Sequence, residues 1–218
     1  MITSKNYIIE GNNIKSDSTY LLQETMHEFD FLYIDLQKIL PKEYIESWFN
    51  FTSKIPTNCI YHDTNTDCND YGIETKIHIS LLYGIEPNEY NLKLIKQYFS
   101  RNSRPINIKF TGISFFYKED KDYEVMKFDI DSESLVQIYN ELSTLLGISN
   151  KSMSKVDNYN PHATIAYLNK DTFCYSGRPG SKYFFDYQLI FPFKNIEYTV
   201  KEIEYQDIYD NTTAIYLE

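Results

Sequence analysis

His78-Ile79-Ser80 and His162-Ala163-Thr164 are one local pattern, a histidine and a hydroxyl residue two places apart, occurring twice in a chain of 218 residues. Each copy lies in an apolar run that reads as a β-strand. Residues i and i+2 of a strand point to one face, roughly 6.5–7 Å apart. His78 and Ser80 therefore share a face, as do His162 and Thr164. The residues between and after them are apolar: Ile79, Leu81 and Leu82 in one copy, Ala163, Ile165 and Ala166 in the other. A titratable ring beside a hydroxyl in the middle of a buried strand is unusual, and its doubling points to a fold with two similar halves.

The rest of the chain supplies an α+β pattern around these strands. Residues 31–36 read as a strand, and Leu40-Pro41 opens a helix running through Trp48 and Phe49, closed by Ile55-Pro56. The Asp- and Asn-rich stretch from Asp63 to Gly72 reads as a surface loop. Lys76 to Tyr83 is a strand, Pro87-Asn88 turns into a helix carrying Leu92, Ile95, Tyr98 and Phe99, and Ile106–Tyr117 with Tyr123–Ile130 form two strands. A further helix carries Leu135 to Leu146, with Asp131 or Ser132 as cap and Gly147 as stop. The second motif heads a strand from His162 to Leu168, and the tail from Ile196 to Leu217 reads as two strands joined at Asp210-Asn211. Short turns between strands imply antiparallel sheets.

Composition narrows the partners. The net charge of -10 argues against a protein that coats long DNA or RNA, since such binding rests on neutralising phosphates with Lys and Arg. A small phosphorylated ligand needs only a local basic pocket. The 21 Tyr and 14 Phe suit strand faces, and a few of them suit base stacking. Three cysteines, Cys59, Cys68 and Cys174, form no CxxC and no zinc spacing, which fits a reducing compartment. With no apolar leader and no membrane-length run, a soluble cytoplasmic protein is expected.

Two imidazoles near neutral pH supply the base and the acid that phosphodiester cleavage requires. Ser80 and Thr164 then offer hydroxyl donors to the non-bridging phosphate oxygens. Neither strand adds the carboxylate or further histidine that a metal site wants, so no metal and no cofactor are expected. His27 and His62, in polar surroundings, read as surface residues.

With these motifs the chain resembles the two-histidine phosphoesterase superfamily, whose fold is called LigT-like. The Pro ahead of the second motif, in Asn160-Pro161-His162, belongs to the resemblance, which covers about residues 31–218 and leaves 1–30 as an N-terminal extension. More narrowly, Ile55-Pro56 to Tyr61, Tyr71-Gly72-Ile73-Glu74 and the run from His78 to Gly84 resemble phage anti-CBASS nucleases. Those degrade the cyclic oligonucleotide signals of bacterial antiviral defence. The resemblance implies a bilobal fold, two pseudo-symmetric antiparallel-sheet lobes with flanking helices around a central cleft, each lobe giving one motif. It implies His78 and His162 as the acid/base pair, a small cyclic nucleotide as substrate, and the host cytoplasm as location if the protein is viral. Cleavage of 2′,3′-cyclic phosphates or 2′–5′ RNA linkages is the second reading, and a non-catalytic nucleotide sponge the third. Phe116 for base stacking and Glu204 for a base edge are the expected substrate contacts. Lys76 and the Gly177–Gly180 loop are further candidates for a phosphate.

Overall fold

The computed structural model describes residues 7–10, 13–16, 28–62, 71–102, 104–117, 121–148, 159–170, 173–174, 183–184 and 196–217. Strands β1 (Tyr7–Glu10) and β2 (Asn13–Ser16) pair as a two-stranded sheet of their own. Then come β3 (Asp30–Asp35), a short α1 (Leu36–Ile39), α2 (Lys42–Thr52), β4 (His78–Ile85) and α3 (Glu89–Arg101). The second half holds β5 (Ile106–Tyr117), β6 (Tyr123–Asp131), α4 (Glu133–Leu145) and β7 (His162–Asn169). After a parallel pair of two-residue strands, β8 (Phe173–Cys174) and β9 (Tyr183–Phe184), the chain ends in β10 (Glu197–Val200), β11 (Glu202–Gln206) and β12 (Thr212–Tyr216).

Local sequence explains most of these bounds. Asn88 and Ser132 cap α3 and α4 by accepting the backbone N–H of Asn91 and Leu135. Of the two cap candidates for α4, Ser132 is therefore the one used. Gly147, at φ 65°, takes the left-handed place that ends the helix. The tail differs from its expected two strands. Val200-Lys201-Glu202 carries no turn residue and reads as one continuous strand, yet Val200 pairs with Ile106 on β5 while Glu204 pairs with Tyr33 on β3.

That crossover dictates the shape of the main sheet. Its eight antiparallel strands run in the order β10-β5-β6-β7-β4-β3-β11-β12. β10 and β11 lie near opposite ends of this order but are separated by Lys201 alone, so the sheet must curl until its ends meet. The Leu217 N–H, just past β12, donates to the Lys201 carbonyl at 2.8 Å and so extends the β11–β12 ladder up to the crossover residue. The two central strands, β7 and β4, are the ones that carry the histidine motifs.

One face of the curled sheet is the core. Phe128 on β6 is fully buried against Trp48 of α2 at 4.6 Å between ring centroids, with Phe51 and Phe110 beside it. α4, which follows β6, packs on β4. α2 and α4 thus each reach a strand of the other lobe, tying the halves together. Trp48→Ala is expected to cost about 3–5 kcal/mol of folding stability. Phe49→Ala, at a ring 40% exposed, is expected to cost no more than about 0.5 kcal/mol. Denaturant midpoints of the two variants check this, and equal losses would contradict it.

Candidate active site

β4 and β7 meet at one ladder pair, Ile79 with Ala163, both fully buried on the core side. Across that pair, antiparallel register sets His78 opposite Thr164 and Ser80 opposite His162. All four side chains therefore share the other face of the sheet, and all four are half-buried. The histidines are diagonal neighbours, a relation that spans roughly 7–8 Å in a regular ladder. The pseudo-twofold axis runs through Ile79 and Ala163. Both motifs expected from the sequence are thus brought to one place.

The halves match in finer detail. The β3–β4 ladder shifts register between Leu32 and Tyr33, leaving Leu81 as a bulge, and the β6–β7 ladder shifts between Met126 and Lys127, leaving Ile165 as one. A bulge adds one residue to one strand and changes which later residues share a face. This is why two buried residues stand side by side in each strand, Leu81-Leu82 and Ile165-Ala166. It also returns Tyr83 and Tyr167 to the histidine face, since Tyr83 pairs with Phe31 and Tyr167 with Val125. Beyond the axis the freed edge of β7 is taken by Ile60-Tyr61 and by Gly72-Ile73-Glu74, with Tyr167 N–H donating to the Gly72 carbonyl at 2.7 Å. Gly72 sits at φ 109°, a conformation that favours glycine.

Each imidazole is fixed by the same device. Nδ1 of His78 lies 2.7 Å from the Lys76 carbonyl, and Nδ1 of His162 lies 2.8 Å from the Asn160 carbonyl. A carbonyl only accepts, so Nδ1 carries the hydrogen and Nε2 is left to take or give a proton. An aromatic edge braces each ring, Tyr33 at 5.8 Å from His78 and Phe116 at 4.8 Å from His162, both near perpendicular. Lys76 therefore contributes through its backbone, while its side chain is exposed. Burial, with the nearby charges of Lys127 and His78, holds His162 below its ordinary pKa of 6.5 against the opposing pull of Asn160 and Asp129.

Lys127 is the site residue that sequence reading missed. Its neighbours Met126 and Phe128 point into the core, so Lys127 faces the histidines, in register with Thr164. It is 2% exposed, ion-paired with Asp129, and its Nζ lies 4.6 Å from the Phe116 ring centre. Asp129, opposite His162, also accepts from Ser114 Oγ at 2.7 Å. In the other half Tyr33 holds the matching place, opposite Ser80, and burial with Glu204 and Asp35 keeps its phenol neutral. Glu204 shares that face through its pairing with Tyr33, but its buried carboxylate is engaged by Lys38. Phe116 thus adjoins a histidine, and Glu204 lies two strands away from β4. The Gly177–Gly180 loop, the surface loop at 63–70, His27 and Cys68 lie outside the described residues, and His62 is exposed. Among the described residues no three His, Cys, Asp or Glu side chains gather as metal ligands do, and no helix is long and apolar enough to cross a membrane.

Residues 74–184 match the model of the 2'-5' RNA ligase superfamily. The chain belongs to this superfamily, the two-histidine phosphoesterases. Among solved structures, TT0787 of Thermus thermophilus is similar at TM-score 0.51 and 16% identity, over 87% of this chain and 95% of that one. Usb1 of Kluyveromyces marxianus is similar at TM-score 0.52 and 11% identity, over 88% of this chain and 100% of that one. At such identities the likeness is one of fold, and it agrees with the curled antiparallel sheet and its two lobes. No curated protein matches the chain. Within this superfamily member, both histidine motifs lie at the junction of the two lobes.

A group whose folded pKa is depressed adds stability above its unfolded pKa and loses it as pH falls through the folded value. His162 therefore makes the fold less stable as the medium is acidified below 6.5. The unfolding midpoint is expected to fall less between about pH 7.5 and about pH 5.5 in His162→Gln than in the parent protein. An equal fall in both would contradict the depressed pKa.

Proposed function

We propose that the chain is a metal-independent phosphodiesterase acting on a small nucleotide, preferably a cyclic oligonucleotide of the kind that anti-CBASS nucleases degrade. The observation that carries the reading is the pair of imidazoles locked by backbone carbonyls at Nδ1, each beside a hydroxyl on one face. His162, whose charged form burial disfavours, is suited to begin as the base, and His78 takes the acid role. His162 Nε2 accepts the proton of the 2′-hydroxyl next to a 3′–5′ linkage, and the 2′-oxygen attacks phosphorus. The bond to the 5′-oxygen breaks, and His78 Nε2 gives that oxygen its proton. The products are a 2′,3′-cyclic phosphate end and a free 5′-hydroxyl, with no water consumed. Ser80 and Thr164 donate to the non-bridging oxygens where charge builds.

The acidic balance of the chain favours a small ligand over a polymer. Phe116 keeps its proposed place beside the reacting nucleotide. The ion pair with Lys38 counts against the base-edge role proposed for Glu204. Membership of the 2'-5' RNA ligase superfamily supports a second reading, cleavage of 2′–5′ linkages or of 2′,3′-cyclic phosphates. Initial rates on a 3′–5′ cyclic dinucleotide, 2′–5′ oligoadenylate and 2′,3′-cyclic AMP separate the two. The first reading expects the highest kcat/KM on the cyclic dinucleotide. A higher value on either of the others selects the second, and uptake of nucleotide recovered intact on denaturation selects a sponge.

A further inference from the structure

The pseudo-twofold axis relates the motifs closely and then fails at their nearest neighbours. Thr164 faces Lys127 across the β6–β7 ladder, whereas Ser80 faces Tyr33 across the β3–β4 ladder. One hydroxyl therefore has a cation beside it and the other a neutral phenol. A phosphodiester seated between the motifs would present two non-bridging oxygens that are chemically alike but stereochemically distinct. The site meets them with unlike groups.

Lys127 is unusual enough to need a reason. A lysine 2% exposed gives up its hydration, and such groups persist only when paired. Asp129 provides the pairing, yet its carboxylate is also shared with Ser114. An ammonium carries three N–H donors. Asp129 takes one, the Phe116 ring covers another side, and the ladder sets the residue beside Thr164, whose hydroxyl is on the histidine face. The Phe116 ring that carries the ammonium is the one braced against His162, so the cation, the ring and the base form one packed unit.

We propose that Lys127 is a phosphate-binding residue that distinguishes the two non-bridging oxygens, seating one of them against Thr164 and so fixing the direction in which the substrate lies. The proposal rests on the phosphodiesterase reading of the site and adds to it a stereochemical demand. Replacing one non-bridging oxygen by sulfur gives two diastereomers, of which the one with sulfur toward Lys127 binds a hard ammonium poorly.

The test uses the separated Rp and Sp phosphorothioates of a 3′–5′-linked dinucleotide. The parent protein is expected to prefer one by roughly tenfold to a hundredfold in kcat/KM, the range of a hydrogen bond to a charged group. Lys127→Met is expected to bring that ratio near one. Because this variant removes the cation paired with Asp129, the double variant Lys127→Met with Asp129→Asn is run beside it, and thermal unfolding verifies that it folds. A ratio unchanged in the folded double variant overturns the proposal, as does a parent protein that treats the diastereomers alike. Should no nucleotide be cut by the parent protein, the phosphodiesterase reading fails separately. The same ratio is then read from Kd values for the two probes by calorimetry, with the same two outcomes.

Discussion

His162→Ala and His78→Ala are each expected to lower kcat/KM by roughly 10²–10⁴-fold on a 3′–5′-linked nucleotide, the usual contribution of one positioned acid or base. Both losses should be similar in size, because base and acid act in one transition state and each ring is held by a carbonyl two residues upstream. The pH dependence distinguishes the roles. With His162 as base, the acid limb of kcat/KM follows its depressed pKa and lies below 6.5. The His162→Ala variant should lose that limb, while His78→Ala should retain it. Stopped-time assays across the pH range measure both. An acid limb retained in His162→Ala and lost in His78→Ala would exchange the roles.

Thr164→Val and Ser80→Ala are expected to lower kcat by up to roughly 10²–10³-fold with a smaller change in KM, because their donors gain strength as charge develops on the phosphoryl oxygens. Thr164→Val keeps the side chain's shape, so its folding stability should stay close to that of the parent. Ser80 lacks the methyl that restricts the rotamer of a threonine. Ser80→Thr is therefore expected to match or slightly exceed the parent rate. Steady-state kinetics on the three variants check this. A change confined to KM would place the hydroxyls in ordinary binding instead.

The motifs were legible because a strand's two-residue period places His78 with Ser80 and His162 with Thr164 whatever surrounds them. Their meeting across the Ile79–Ala163 pair follows from the long-range order of the sheet, which no local pattern encodes. The repeat is also longer than its first three residues. After the bulges it extends to Tyr83 and Tyr167, and the doubled apolar residues Leu81-Leu82 and Ile165-Ala166 were its visible trace. Lys127 was harder to see, since a lysine between Met126 and Phe128 reads as the solvated side of an ordinary strand. The polar side of β6 is instead the inner wall of a curled sheet. That curl depends on the crossover at Lys201, where the chain changes partners without a turn residue to mark it. The carbonyls of Lys76 and Asn160 leave no trace at all in side-chain chemistry.

The central claim is that two histidines serve as acid and base in cleaving a phosphodiester without a metal ion. It is tested most directly by incubating the parent protein with a 3′–5′ cyclic dinucleotide in excess chelator and identifying the product ends. The account predicts continued turnover, linear products ending in 2′,3′-cyclic phosphate and 5′-hydroxyl, and none in the His78→Ala, His162→Ala double variant. Turnover that appears only on adding a divalent metal, or that persists in the double variant, would contradict it.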